Sequence, residues 1–181
     1  TNGMSNYARN EVNANSALLV QVRLSDFDSS DVLGGVKFQR KIERAAFALG
    51  GRTYAAPVQR VEDFLCGRAS VRMGEVLPSY AAGTVPENLD KIFPSYVSET
   101  LKAAITDMDK RLKGFAHPDA VLTGAETRFS SPVRILRKEN GESVNFAGVY
   151  PCGEGCGYSG GITSSAADGI RIAELICQNY L

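Results

Sequence analysis

A glycine-rich segment near the end of the chain carries the residue types best suited to chemistry. Five glycines occur between residues 153 and 161. Glycine lets a backbone approach a ligand closely and adopts positive φ at little cost. A predicted strand over Val144–Tyr150 precedes the segment, and a predicted helix from about Gly161 to Asn179 follows it. The start of a helix presents free N–H groups and a positive dipole end, so the segment predicts a site for a phosphate or an electron-rich oxygen.

The same segment contains a Gly-x-Gly-x-x-Gly pattern at Gly155, Gly157 and Gly160, between a predicted strand and a predicted helix. An N-terminal dinucleotide-binding unit also needs a second strand with an acidic residue about 20 residues later. The sequence ends at Leu181, so we do not expect that unit here. No Gly-Lys-Ser/Thr follows, which excludes a P-loop. A glycine-rich turn without a ligand is the alternative.

Two cysteines lie at this segment, one directly before it and one within it. Cys152 and Cys156 are separated by three residues, whereas thioredoxin-like pairs and zinc knuckles have two. We expect all four cysteines to be reduced thiols of a cytosolic protein. A thiol-redox protein that uses Cys152 and Cys156 is a further alternative. His117 is the only histidine, so no familiar zinc site can be completed and we expect no metal.

Composition narrows the classes of function. The chain has 20 basic and 20 acidic residues, and this balance argues against nucleic-acid binding and against a polybasic membrane surface. No apolar run approaches the 18 or so residues that a membrane span needs, and no leader is visible, so we expect a cytoplasmic protein. The first residue is Thr1 rather than Met, and we expect the sequence to be a fragment.

The periodicity of apolar residues predicts an α/β or α+β fold, with a mixed sheet and packed helices. Helices are expected at 31–49, at 58–65 after Pro57, and at 94–113. Strands are expected at 16–24, 120–123, 126–129, 133–137 and 144–150. Asn140-Gly141 predicts a hairpin turn.

The string GVYPCGEGCGYSGGITSSAADGIRIAE, over residues 148–174, resembles the C-terminal flavin-binding motif of bacterial FAD-dependent dehydrogenases. These belong to the two-part flavoprotein oxidoreductase class. Upstream strings extend the resemblance over nearly the whole chain in the expected order; they include NGMSNYARN, KFQRKIERAAFALGG and GFAHPDAVLTGAETRFSSPVRILR. The N-terminal half of that class, which carries the adenosine diphosphate part of FAD, is missing.

The resemblance implies roles for particular residues. Glu154 takes the place of the acidic residue that binds the ribityl or pyrophosphate region. Gly160, Gly161 and Ile162 match the helix start that presents N–H groups to the pyrimidine edge of the flavin, and Gly155 and Gly157 belong to the same cofactor-binding set. Residues 127–134 resemble the stretch that enters the flavin site, and within it Arg128 faces flavin or substrate, or instead pairs with Glu126 or Glu142. No catalytic residue can be named.

The resemblance also implies an organisation and a function. Residues 1–118 would form a substrate-side, cap-like domain, and residues 119–181 would complete an FAD-binding domain whose other half lies in the same polypeptide. The intact enzyme would pass a hydride or an electron pair between a small-molecule substrate and FAD, and we expect the fragment alone to hold no flavin and to be inactive. The substrate and the use of NAD(P)H stay open. A non-catalytic nucleotide- or protein-binding module with a Gly-rich anion-binding loop is the alternative.

Overall fold

A computed structural model describes residues 7–8 and 10–180. The helices are α1 (Gly34–Leu49), α2 (Val61–Leu65), α3 (Ser95–Arg111) and α4 (Ile162–Tyr180). The strands are β1 (Ala56–Arg60), β2 (Thr84–Pro86) and β3 (Val121–Thr123). The described residues divide into two compact units: unit 1 comprises the residues up to Val22 with Arg40–Thr127, and unit 2 comprises Arg23–Gln39 with the residues from Arg128 onwards. The predicted division of function at residue 118 stays a prediction.

Unit 1 is built on a mixed sheet with the order β2-β1-β3. Strand β1 pairs in parallel with β2, with Ala56 opposite Thr84, and antiparallel with β3, with Val58 opposite Thr123. The central strand is buried along most of its length, as expected for a strand with neighbours on both sides. The α/β fold class predicted from the sequence is confirmed.

Gln59 joins this sheet to the chain around it. Its side chain is fully buried, donates from Nε2 to Arg68 O (2.6 Å) and accepts at Oε1 from Leu89 N (2.8 Å). A buried amide is stable only when its polar atoms are paired, and here both ends are satisfied by backbone. The glutamine therefore links β1 to the backbone at Arg68 and at Leu89.

A polar network holds the irregular segment after α2 against β1. Asp63 is buried, accepts from Arg68 Nε (2.6 Å) and accepts from Ser70 Oγ (2.7 Å). Arg60 pairs with Asp119 through Nε (2.8 Å) and Nη2 (2.7 Å). A hydrogen bond from Glu75 N, the largest cause, and those from Arg60 hold the pKa of Asp119 below its ordinary value. The network gives fixed positions to a segment that forms no regular structure.

Helix α3 owes its position to an apolar stripe. Val97 and Ile105 are buried, whereas Met108 and Leu112, further along the same stripe, are exposed. Lys110 and Arg111 occupy the last turn, where their positive charges interact favourably with the negative end of the helix dipole. The predicted helix over 94–113 is therefore confirmed to within two residues at each end.

Unit 2 has little regular structure besides α4 and the first turns of α1. A tight turn at Asn140-Gly141 is closed by Gly141 N to Lys138 O (3.0 Å), and one antiparallel bridge joins Arg137 to Ser143. The side chain of Ile172 in α4 packs against Gly141, where an added Cβ would lie 2.9 Å from Ile172 Cδ1. The hairpin turn predicted at Asn140-Gly141 is present, but it joins a single bridge rather than two strands.

Several predicted elements are wrong, and they share a cause. No strand forms over 16–24, 126–129, 133–137 or 144–150, and 24–26 is a short 3-10 turn instead. Alternation of apolar residues makes a strand possible, but a ladder also needs a partner strand. Around Pro57 the error is the reverse: the helix predicted over 58–65 forms only over Val61–Leu65, because residues 58–60 continue β1 after Pro57. The carbonyl of Pro57 accepts from Gly124 N (3.0 Å).

Candidate functional site

The glycine-rich segment folds as a tight turn within unit 2. Gly157 N donates to Glu154 O (2.9 Å), and Tyr158 N donates to Gly153 O (3.1 Å). Gly153 and Gly157 have φ of +73° and +80°. A Cβ at Gly157 would also overlap Val133 O. These two glycines are required by the conformation of the turn itself.

The other three glycines have no such requirement. Gly155, Gly160 and Gly161 are outside the positive-φ region. An added Cβ would meet nothing within 4 Å at Gly155, Ser130 Oγ at 3.7 Å at Gly160, and Ser164 Oγ at 3.5 Å at Gly161. All three are exposed. Among the residues that the structure describes, there is room for a side chain at each of these three positions. A bound group that approaches this surface would explain why glycine is found there instead.

The start of α4 adjoins these glycines. Ser165 N donates the first helical bond to Gly161 O (2.9 Å), and Ser164 Oγ accepts from Gly161 N (3.2 Å). The N–H groups of residues 162–164 have no acceptor within the helix, as at any helix start. The side chain of Ile162 is 93% exposed. The first turn is thus open to an electron-rich group.

The structure brings a second predicted segment beside this turn. Ser131 Oγ lies 3.1 Å from Gly155 O, where it can donate. Arg134 Nε donates to Gly157 O (3.0 Å), and Ile135 N donates to Cys156 O (3.2 Å). The stretch 127–134, which the resemblance assigned to the same site, therefore contacts the glycine-rich turn directly through Ser131 and Arg134.

Two residues that the resemblance assigned to the site lie at the surface. Glu154 and Arg128 are both exposed. One partner expected for Arg128, Glu142, accepts from Lys138 Nζ (2.9 Å) and from Gly148 N (2.9 Å). The roles of Glu154 and Arg128 toward a flavin stay predictions.

An ion pair ties the turn to α4. Arg137 Nη2 and Nη1 donate to the two carboxylate oxygens of Asp168, at 2.6 and 2.9 Å, and the two side chains are 10% and 12% exposed. Arg137 Nη1 also donates to Pro151 O (2.8 Å), and Asp168 Oδ2 accepts from Gly153 N (2.9 Å). The pair therefore fixes the backbone on which the turn begins.

The charge of Asp168 is stabilised by these contacts. The hydrogen bonds from Arg137, and secondarily the one from Gly153 N, outweigh burial and lower the pKa of Asp168 from 3.8 to about 2. The carboxylate is thus ionised throughout the physiological range, and the pair keeps both partners in place.

Tyr158 completes the arrangement on the far end of the turn. The guanidinium carbon of Arg137 lies 3.6 Å from the centroid of its ring, and that of Arg134 lies 4.8 Å away. The tyrosine hydroxyl donates to Ile135 O (3.0 Å). Cation–π contacts of this kind hold a ring without occupying its polar end. Residues 153–158 are therefore anchored at both ends, and the exposed residues Glu154 and Gly155 lie between the anchors.

Sequence reasoning missed Arg137, Asp168 and Tyr158. A usable signal was Asp168, the only acidic residue in the first eight positions of α4. Packing alone does not explain an acidic side chain in this run of small residues, so a polar partner is expected. Its partner could not be identified, because Arg137 lies 31 residues away in a segment predicted as a strand.

The structure also places the cysteines and the histidine. All four cysteines are free thiols, with Cys152 exposed and Cys156 partly buried. His117 Nδ1 accepts from Asp119 N (3.2 Å), as expected for a loop histidine. Within residues 7–8 and 10–180, no group of three or more metal-ligating side chains is positioned to hold an ion. No helix in the same ranges is both long enough and apolar enough to span a bilayer.

Residues 1–129 match the protein family described as "FAD-dependent protein, C-terminal domain-like". The chain belongs to this family. The glycine-rich turn lies beyond the matched residues, so the family assignment and the geometry of the turn are independent observations.

The alignment with a curated relative includes both the residues matched by the family and the glycine-rich turn. An uncharacterized protein of Clostridium beijerinckii is 52% identical over 180 residues, which is 99% of this chain. The aligned part is 34% of that protein, so the chain spans about a third of the length of the relative.

The family description names FAD, and the glycine-rich turn can be compared with what that cofactor needs from a protein. An anionic or electron-rich group needs N–H donors and space close to backbone. The first turn of α4 supplies the donors, and Gly155, Gly160 and Gly161 leave the space. The donor chemistry of the turn therefore fits part of a flavin nucleotide.

Proposed function

We propose that this chain is the C-terminal portion of a bacterial FAD-dependent dehydrogenase and that its glycine-rich turn forms part of the flavin site. The observation that carries the proposal is the contrast among the glycines. Gly153 and Gly157 are required by the turn, whereas Gly155, Gly160 and Gly161 are not. Membership of an FAD-dependent family supports a flavin as the group that approaches them.

Particular residues would hold the cofactor. The free N–H groups of residues 162–164, beginning with Ile162, donate to electron-rich atoms of the ring, and Gly161 leaves space beside them. Glu154 accepts from hydroxyl groups of the ribityl chain. Gly155 and Gly160 keep the approach free of side chains. Arg128 belongs to the segment beside the turn and adds a positive charge to the site.

FAD, when bound, supplies hydride or electron-pair transfer with a small-molecule substrate. The contribution of this chain is placement and charge. The helix dipole and free N–H groups of α4 stabilise negative charge that develops nearby. The ion pair of Arg137 with Asp168 keeps the turn in one conformation, so these donors need no reorganisation.

The test is Gly161→Val in the complete polypeptide. The added side chain occupies the space at the helix start, and we expect the purified protein to lose its flavin absorbance. Ala167→Val, which enlarges an exposed residue of the same helix, is the control and should stay yellow. A Gly161→Val protein that keeps one flavin per chain would remove Gly161 from the site.

The alternative is a binding module without redox chemistry, in which the same turn holds a nucleotide or a protein. A complete wild-type protein that is colourless but binds an adenine nucleotide would favour it. A cytoplasmic location, the absence of nucleic-acid partners and the role of residues 1–118 as a substrate-side domain remain proposals of the same kind.

A further inference from the structure

Unit 2 buries very little apolar surface for its size. Leaving proline aside, ten apolar side chains are buried among the described residues; nine belong to unit 1 and one, Ile172, belongs to unit 2. At least eleven large apolar side chains of unit 2 are exposed, including Leu136, Phe146 and Ile162. Burial of apolar surface is the main favourable contribution to folding, so this distribution indicates a surface that is covered by something else.

Helix α4 shows where part of that surface lies. At 100° per residue, one exposed strip of the helix falls within an arc of about 80°. The strip consists of Ile162, Ala166, Ile170, Ala173 and Cys177. Ile162 and Ile170 are 93% and 62% exposed.

The strip is distinct from the two other faces of the helix. Asp168 and Ile172 lie on the face that packs within unit 2. Arg171, Glu174 and Gln178 form an exposed polar face. A surface helix normally has one apolar face, so a second apolar strip marks a second contact.

We infer that this strip of α4 is the surface on which the rest of the same polypeptide docks. The inference rests on the proposed function, because the docking partner is the FAD-binding part of that polypeptide. The relative from Clostridium beijerinckii supports this partner, since the larger part of its length lies outside the aligned third. The strip also begins at Ile162, so the partner reaches the residues that hold the flavin.

The composition of the strip fits a close contact within one chain. Ala166 and Ala173 are small and let a neighbouring backbone approach, while Ile162 and Ile170 supply apolar volume. The strip carries no charged residue. A permanent contact of this kind resembles a domain core cut in half rather than a transient binding surface.

Cys177 provides the test, because its thiol lies on the strip and is exposed here. The complete polypeptide is treated with a maleimide, and the labelling of each cysteine is followed by peptide mass spectrometry. Cys66 in unit 1 is also exposed and serves as the internal control. We expect Cys177 to label at least about tenfold more slowly than Cys66, because its modification requires local opening. Equal rates would overturn the inference without any variant being needed.

Two variants and two further measurements sharpen the result. Ile170→Asp should raise the rate at Cys177 toward that of Cys66, whereas Ala167→Asp, on the polar side of the same helix, should not. A protected Cys177 that becomes reactive when a dimer dissociates on dilution would assign the strip to a second copy and overturn the inference. Flavin absorbance of the same sample separates the two proposals: a yellow protein with a reactive Cys177 refutes only the docking surface, and a colourless protein with a protected Cys177 refutes only the flavin site.

Discussion

Arg137 and Asp168 face each other through two N–H···O hydrogen bonds, although 31 residues separate them and both side chains are about nine-tenths buried. One oxygen of the carboxylate is shared with Gly153 N. The pair thus couples a helix, a turn and a chain segment through one carboxylate. Charge-assisted bidentate bonds of this kind fix geometry as well as supplying energy.

Asp168→Asn should destabilise unit 2. The asparagine can still accept from Gly153 N, but it leaves the buried guanidinium of Arg137 without a counter-charge. Removal of one partner from a buried pair costs about 3 kcal/mol or more in the free energy of unfolding. Urea denaturation would measure the loss. Asp107→Asn, which breaks an exposed pair with Lys110, should cost less than about 1 kcal/mol. Similar losses for both variants would show that the buried pair has no special weight.

The stability of the wild-type protein should carry a signature of Asp168 in acid. Its pKa is about 2 in the folded chain and 3.8 ordinarily, so the contribution of the carboxylate is fully present above about pH 5 and is lost as pH falls through 2. The free-energy advantage of wild type over Asp168→Asn should therefore shrink by about 1 to 2 kcal/mol between pH 5 and pH 2. Denaturation of both proteins at several pH values would check this, and an advantage that does not change with pH would contradict the lowered pKa.

Two alanine substitutions should separate the glycines of the turn. Gly157→Ala forces a Cβ onto positive φ and against Val133 O, which should cost about 2 kcal/mol or more in stability. Gly155→Ala meets no neighbouring atom, so stability should change by less than about 0.5 kcal/mol. In the complete polypeptide, however, Gly155→Ala should weaken flavin retention. The measurements are thermal unfolding and flavin content. Undiminished flavin in Gly155→Ala would remove this glycine from the proposed site.

Gln59→Met should destabilise unit 1 although it keeps the size and apolar stem of the side chain. The change leaves Arg68 O and Leu89 N without their partner in a buried position. Each unsatisfied group costs about 1 to 3 kcal/mol. Urea denaturation should show a loss in that range or above. Gln178→Met, at an exposed position of α4, is the matched control and should have little effect.

The long helices could be predicted from the sequence because their signal is local. An apolar stripe and a glycine stop are enough to place α1 and α3. Strand β1 was missed for the opposite reason, since its existence depends on partners that lie more than 20 residues away in the sequence. The alternation over 133–137 likewise predicts a strand, but the residues before Arg137 find no ladder in the described parts of the chain.

The position of the candidate site along the chain could be predicted, but the side chains that hold it in place could not. Glycine spacing between a predicted strand and a predicted helix identified the turn, and the neighbouring segment at 127–134 was assigned to the same site by resemblance. The side chains that hold the turn could not be found, because the contact between Arg137 and Asp168 is tertiary and 31 residues separate the two in sequence.

The ultraviolet absorbance of Tyr158 can report on the conformation of the glycine-rich turn. There is no tryptophan among the 181 residues, so the ultraviolet signal of the tyrosines is not masked by indole. The electronic spectrum of a phenol responds to charge, and two guanidinium groups lie within 5 Å of this ring. Opening of the glycine-rich turn would withdraw both charges at once, and difference absorbance near the phenol band could follow that motion without an added dye.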